Sequence, residues 1–506
     1  MNHNGLCLRS RQAASRLAGL MLSIVLIFSF AACKGQSASA LASPAPTAAN
    51  AAPPTLAVAQ NSYADVVSRV APAVITVRAD RRVRAAQQFP FFDDPFFRDF
   101  FGNQLPRGQQ RQQPQESLER ALGSGVIVSA DGYILTNYHV IDGAENIKVD
   151  LNDNRTLDAK VVGTDQPSDL ALLKVSASNL PVLPLGDSDR VRVGDVALAI
   201  GNPLGVGQTV TMGIISAKGR STGLSDGSFE DFLQTDAPIN QGNSGGALVN
   251  TNGELVGINS QIWTRTGGNV GIGFAIPSNM AKSVMDQLLK TGKVRRGQLG
   301  IVVQKVSTDI ASNLGLKDTS GVIVSSIKPG SAAEKAGIHR GDVITAIDGA
   351  AVTDPNSFRN RVASTPPGTG VTLTVMRDNR EQQLRATLGE FVPESASTDD
   401  EGGGDGANKT ETGKLGVGVQ PVTPELASRL RLPSGVQGLV VVSVDPAGPA
   451  AEAGISEGDV IEEVNRQPVH TVADLKAAIQ RTGTRPALLL VSRQGQDIFL
   501  TVRPRQ

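Results

Sequence analysis

The segment with the most chemical content is Gln241-Gly242-Asn243-Ser244-Gly245-Gly246, which runs into the apolar Ala247-Leu248-Val249. A serine hydroxyl is a weak nucleophile and needs a base to take its proton, together with main-chain donors aimed at the oxyanion it creates. Glycines on both sides let the backbone turn the amides of Gly242, Asn243 and Ser244 toward one point. The base must be an imidazole, and the chain has 4 histidines. His3 lies in the leader, while His339 and His470 lie in a repeated C-terminal region, which leaves His139. It sits in Thr136-Asn137-Tyr138-His139-Val140, directly after the apolar Tyr133–Leu135, at a strand end where a side chain can face a cleft. The acid that holds the imidazole in one tautomer is expected to be Asp169, which heads the apolar strand Leu170-Ala171-Leu172-Leu173-Lys174-Val175; Asp165 and Asp187 are the competitors.

The chain order His, Asp, Ser is that of chymotrypsin-like double barrels and not of subtilisin or the α/β-hydrolases. Residues 122–277 support a barrel, with short apolar runs separated by Gly, Asn and Asp turns, such as Gly125–Val128 and Val256–Asn259. Helical spacing follows over Ser278–Lys290, with Ser278 as expected N-cap and Gly292 past the end. Beyond it the chain repeats itself. Ala336-Gly337-Ile338 and Gly341-Asp342-Val343-Ile344 recur as Ala453-Gly454-Ile455 and Gly458-Asp459-Val460-Ile461. The copies are separated by an acidic, Gly-rich linker at 393–413, and each is long enough to fold alone.

The N-terminus carries Arg9, Arg11 and Arg16 before an apolar run from Leu17 to Ala32, too short to span a bilayer and typical of a secretory signal over residues 1–33. It ends in Phe30-Ala31-Ala32-Cys33, a lipobox-like sequence that would anchor the protein through lipidated Cys33; the alternative is an ordinary signal cut after Ala38 or Ala40. Residues 34–62 read as an Ala/Pro-rich linker, and 7 of the 15 Phe cluster in a segment at about 82–117. The other cysteine, Cys7, falls in the leader, so disulfides, cysteine nucleophiles and zinc-thiolate sites are excluded from the mature domains. Lys plus Arg and Asp plus Glu balance at 48 each, which argues against a nucleic-acid partner. The expected class is mostly β: a double β-barrel domain at 63–292, then two α+β modules at 293–392 and 414–506.

Thr136-Asn137-Tyr138-His139-Val140, Ser168-Asp169-Leu170-Ala171-Leu172-Leu173-Lys174-Val175, Gly242-Asn243-Ser244-Gly245-Gly246-Ala247-Leu248 and Gly271-Ile272-Gly273-Phe274-Ala275-Ile276-Pro277, with the two C-terminal repeats, resemble the HtrA (Deg, peptidase Do) family over nearly the whole mature chain. The resemblance implies a periplasmic, ATP-independent serine endopeptidase that cuts unfolded envelope proteins after small aliphatic residues and needs no metal or cofactor. It implies that the repeats are PDZ domains, whose carboxylate loops would be Gln298-Leu299-Gly300-Ile301 and Lys414-Leu415-Gly416-Val417. These would bind C-terminal peptides by strand addition. By position, Ile272, Phe274 and Ile276 would line an apolar specificity pocket. Residues 217–223 would be a sensor loop, its Arg220 relaying PDZ occupancy to the activation segment at 234–243. The Phe-rich segment would enter a neighbouring active site in a homo-oligomer built on trimers, the alternative being a private mini-core of its own. An inert scaffold would lack a triad member, and an esterase would have little use for tandem PDZ domains.

Overall fold

The computed structural model describes residues 62–83, 117–202, 207–223, 228–240, 242–264, 268–392, 414–429, 436–483 and 485–505. The signal sequence, Cys33, most of the 34–62 linker, nearly all of the Phe-rich segment, Gln241 and the 393–413 linker lie outside the described residues.

After a short helix, Ala64–Val70, six strands close the first barrel: β1 Val74–Val83, β2 Ser117–Ile127, β3 Tyr133–Thr136, β4 Asn146–Asp150, β5 Thr156–Asp165 and β6 Leu170–Val175, in the order β1-β2-β3-β6-β5-β4. A second closed barrel follows from β7 Val196–Gly201, β8 Thr209–Arg220, β9 Phe232–Thr235, β10 Ala247–Val249, β11 Leu255–Ile262 and β12 Gly273–Pro277, in the order β10-β11-β12-β9-β8-β7. Successive strand residues point to opposite faces. Along β6, Ala171, Leu173 and Val175 join one buried cluster while Leu170 and Leu172 join another. Along β7, Ala197 and Ala199 separate from Leu198 and Ile200 in the same way. Leu170, Leu172, Leu198 and Ile200 therefore share a core that belongs to both barrels. Burial on both faces explains why Leu170–Leu173 of β6 and Val196–Ile200 of β7 read as apolar runs instead of alternating ones.

The helix Ser278–Thr291 lays Ala281, Val284 and Leu288 on that shared core and stops at Gly292, whose φ of 72° is left-handed. Its start corrects the expectation from sequence. Pro277 occupies the N-cap position, and the Ser278 hydroxyl instead donates to the Gly186 carbonyl at 2.7 Å, fastening the helix to the barrel connection.

Each repeat is an antiparallel sheet with two main helices. In the first, Ile301–Lys305, Val322–Ile327, Val343–Ile347, Gly370–Arg377 and Arg380–Thr387 pair in chain order. In the second, Val417–Pro421, Leu439–Val444, Val460–Val464, Ala487–Arg493 and Gln496–Val502 do the same. The two repeats also share apolar packing: Val306, Ile310, Ile323 and Val343 of the first cluster with Leu488, Leu490 and Phe499 of the second.

Candidate active site

His139 lies in the single helical turn Tyr138–Ile141 that follows β3, and it is 8% exposed. The corner is held from the side of β6: the main-chain carbonyl of Asp169 accepts from Asn137 Nδ2 at 2.9 Å and from the Tyr138 amide at 3.1 Å. Asp169 itself adopts a left-handed conformation (φ 53°, ψ 43°) between the turn Gln166–Ser168 and β6, a backbone region that Asp tolerates better than most residues. The turn swings its carboxylate back onto His139. Oδ2 lies 2.8 Å from Nδ1, and Oδ1 accepts the His139 amide at 3.0 Å. A carboxylate facing Nδ1 keeps the proton on that nitrogen and leaves Nε2 as the basic one.

Ser244 is 2% exposed, and its Oγ donates to the main-chain carbonyl of Ser260 at 3.0 Å. The Ser260 hydroxyl donates in turn to Asp169 Oδ2 at 2.9 Å. Ser260 occupies a bulge in β11, where the pairing with β12 slips between Asn259 and Gln261. A bulge re-aims a side chain that regular alternation would point elsewhere. One residue thereby touches both the carboxylate beside the imidazole and the nucleophile candidate. Gly245, at φ 82°, brings the chain so close to β2 that a Cβ there would sit 2.1 Å from the Ser124 carbonyl oxygen.

Of the three amides expected to converge on an oxyanion, Asn243 is corrected. Its N–H donates to the Asn240 carbonyl at 2.9 Å, closing a tight turn ahead of the serine. Gly242, at φ 95°, and Ser244 are the remaining pair of that set. The competing carboxylates are engaged elsewhere. Asp165 forms a buried two-pronged pair with Arg296, while Asp187 accepts from the Asp189 amide at 3.0 Å and from Asn279 Nδ2 at 2.8 Å, bonds that hold its pKa below the usual value.

The residues expected at the specificity pocket are largely buried, and Ile276 also lines a small cavity with Asp169, Phe232 and Ser260. Phe274 and Ile276, 6% and 1% exposed, belong to the core shared by the barrels, with Phe274 against the Phe232 ring at 5.6 Å. Ile272 packs, partly buried, on the same cluster. On one strand face, apolar residues two apart read alike whether they face a pocket or a core.

Both presumed carboxylate loops have one conformation. Gly300 and Gly416 share a φ of 76°, and a Cβ on Gly300 would meet the Ser331 side chain at 2.4 Å. The Gly300 carbonyl accepts from Lys328 and the Leu299 carbonyl from Ala333, matched by Asp445 to Gly416 and Ala450 to Leu415. Leu299 and Leu415 are buried, Gln298 pairs with Gly389, Lys414 is exposed, and Ile301 and Val417 open strands.

Arg220 is exposed and belongs to β8, paired with Phe232, so residues 217–220 form strand and not loop as expected. Next to it, buried Glu230 accepts from the Ser221 hydroxyl at 2.8 Å and the Thr222 amide at 2.6 Å. The Glu230 carbonyl accepts from Asn356 Nδ2 at 2.8 Å on the helix Pro355–Ser364 of the first repeat, and the Phe229 amide donates to the Pro167 carbonyl at 2.7 Å. This segment thus bridges the repeat's helix and the turn that precedes Asp169. Asp231 beside it is half-buried, and desolvation, then the Asp189 and Asp354 carboxylates, push its pKa up to about 6 against a partial offset from Lys218. Sequence reasoning missed Ser260, Ser124 and Glu230. Nothing within Val256–Ile262, where Asn259, Ser260 and Gln261 are all polar, singles Ser260 out.

The match to known proteins agrees with this arrangement. Residues 123–258 match the trypsin-like peptidase domain, and residues 297–388 and 440–493 match PDZ domains. The chain is 42% identical over 415 residues to a probable periplasmic serine endoprotease DegP-like of Chlamydia trachomatis, covering 82% of this chain and 80% of that protein. It is 41% identical over 450 residues to the periplasmic pH-dependent serine endoprotease DegQ of Escherichia coli, covering 87% and 91%. Among solved structures, the HtrA-type protease AlgW with decapeptide superposes with a TM-score of 0.52 at 47% identity, over 66% of this chain and 100% of that one. The chain belongs to the HtrA family of DegP/DegQ-like periplasmic serine endoproteases, a trypsin-like peptidase domain followed by two PDZ domains.

Proposed function

We propose that Ser244 is the nucleophile of this endopeptidase, His139 its general base and Asp169 the group that orients the imidazole, with the Gly242 and Ser244 amides as oxyanion donors. The observation that carries the reading is the continuous chain from His139 through Asp169 and Ser260 to Ser244, each link within 3.0 Å. In the first step Ser244 Oγ attacks the peptide carbonyl as its proton passes to His139 Nε2, and the same proton then goes to the leaving amine. Water, deprotonated by the same imidazole, cleaves the acyl-enzyme. For attack the Ser244 hydroxyl must turn from the Ser260 carbonyl toward the imidazole.

The substrates are unfolded or misfolded envelope proteins in extended form, captured by the PDZ domains in a homo-oligomer built on trimers. Peptides with apolar C-terminal residues add as a strand beside Ile301–Lys305 and end at Gln298-Leu299-Gly300-Ile301; Lys414-Leu415-Gly416-Val417 is the second such loop. The domains are assigned to 63–292, 293–392 and 414–506, and partition into detergent distinguishes a lipid anchor at Cys33 from an ordinary signal cut after Ala38 or Ala40. Binding at the first groove reaches the active site through the segment at 228–231, with Arg220 as relay. That reading is supported by the bonds from Asn356 to Glu230 and from Phe229 to Pro167.

A fluorophosphonate probe tests the chemistry. It should modify Ser244 and stop β-casein degradation; labelling at another residue with casein cleavage intact would overturn the assignment. An apolar C-terminal peptide should raise cleavage of a separate reporter, and Arg220→Ala should blunt that gain with little change in peptide affinity. Full activation of Arg220→Ala would remove it from the relay.

A further inference from the structure

Ser124 is fully buried in β2 of the first barrel, yet most of its polar contacts reach the nucleophile loop and its neighbour in the second. Its amide donates to the Ser244 carbonyl at 2.8 Å. Its hydroxyl donates to the Gly242 carbonyl at 2.6 Å and accepts the Asn202 amide at 2.9 Å. Its own carbonyl accepts from the Thr136 hydroxyl at 2.7 Å, one strand over and three residues before His139. The residues around it are kept small by contact. A Cβ on Gly123 would fall 2.7 Å from Val140, and one on Gly245 would strike the Ser124 carbonyl.

The peptide unit joining Gly242 to Asn243 is held at both ends by these bonds. Its C=O takes the Ser124 hydroxyl, and its N–H goes to the Asn240 carbonyl. Rotation of this plane would strand both groups in a buried site, and it would redirect the amides on either side, those of Gly242 and Ser244. An unsatisfied buried carbonyl is costly, so the hydroxyl selects one orientation of the loop. From these contacts we infer that Ser124 is a positioning residue for the oxyanion donors, acting from the barrel that carries His139 and Asp169 on the loop that carries Ser244. The inference rests on the assignment of Ser244 as nucleophile. Its action falls on the transition state, because oxyanion donors shorten onto the developing negative charge and contribute little to ground-state binding.

The test compares Ser124→Ala, Ser124→Cys and Ser244→Ala in the full chain with a chromogenic peptide substrate and a peptide aldehyde, whose tetrahedral adduct places its oxygen where the oxyanion forms. Ser124→Ala should lower kcat roughly 10- to 100-fold with KM within about twofold, less than the loss when a donor itself is removed. Affinity for the aldehyde should fall by a similar factor, while affinity for an uncleaved substrate peptide stays constant. Ser124→Cys, with its weaker S–H donor, should recover part of kcat. If Ser124→Ala keeps wild-type kcat and aldehyde affinity, the inference is wrong. It is equally wrong if only the thermal midpoint falls while kcat per correctly folded site is unchanged. If Ser244→Ala itself still turns over, the failure lies with the nucleophile assignment and not with Ser124.

Discussion

Asp169 answers to three donors at once: the imidazole of His139, the His139 amide and the Ser260 hydroxyl. Such saturation fixes the carboxylate in one orientation against the imidazole. Asp231 shows the opposite condition, a half-buried carboxyl facing the carboxylates of Asp189 and Asp354. Because its pKa rises from 3.8 to about 6 on folding, the unfolded chain releases this proton first as the pH increases. Its ionisation therefore lowers stability across that interval, by an amount that stops growing above about pH 6. Asp231→Asn, which cannot ionise, should melt progressively higher than the wild type between pH 4 and 6, with a constant lead above that; a lead equal at pH 4 and pH 7 would contradict the cause given. Of the residues in the site, Ser244 and His139 could be read directly, one from its glycine frame and the other because the chain has so few imidazoles. Ser124 and Ser260 could not. Serines are common in strands, and the direction of these two hydroxyls depends on a pairing slip and on contact between barrels that sequence spacing does not encode.

At the scale of elements, the connection from the helix Ser278–Thr291 to the first PDZ domain is anchored by Arg296, 8% exposed, against Asp165, 5% exposed. The Phe229 ring stacks 4.7 Å from that guanidinium and 4.8 Å from Arg359, with its edge to Phe391 at 5.4 Å. Removing one partner of a buried pair leaves the other charge unmatched. Arg296→Met should therefore cost about 3–5 kcal/mol, whereas Arg296→Met with Asp165→Leu should recover much of it. Denaturant unfolding checks both, and a single-variant cost below about 1 kcal/mol would mean that the pair is already open to water. The strand–turn rhythm of the barrels was visible in the chain, since inward and outward residues alternate or run apolar. Two boundaries were not. β8 continues through the polar residues to Arg220 because β9 pairs with it there, and Ser278 enters the helix because Gly186 offers its hydroxyl an acceptor. Both outcomes are set by tertiary partners, which override local preference.

Across the whole molecule, two PDZ domains that recur as copies in the sequence do not stand apart. Arg340 of the first pairs with Glu462 at 3.0 Å and Asp497 at 3.2 Å of the second, and the Phe499 amide donates to Gln304 Oε1 at 2.7 Å beside the shared apolar cluster. Sequence patterning could not reveal this, because Val306, Ile310, Ile323 and Val343 read as residues of their own domain's core. A chain ending at Val392 should expose them, lowering the melting midpoint of the first PDZ domain and raising binding of an apolar dye. An unchanged midpoint would show that the shared cluster adds nothing. β-casein cleavage by Ser244→Ala tests the proposed nucleophile assignment most directly. The assignment predicts a loss of several orders of magnitude in turnover, with the thermal transition within a degree or two of the wild type, as roughly expected for a hydroxyl that serves chemistry and not packing. Casein cleavage at the wild-type rate by a folded Ser244→Ala protein would contradict it.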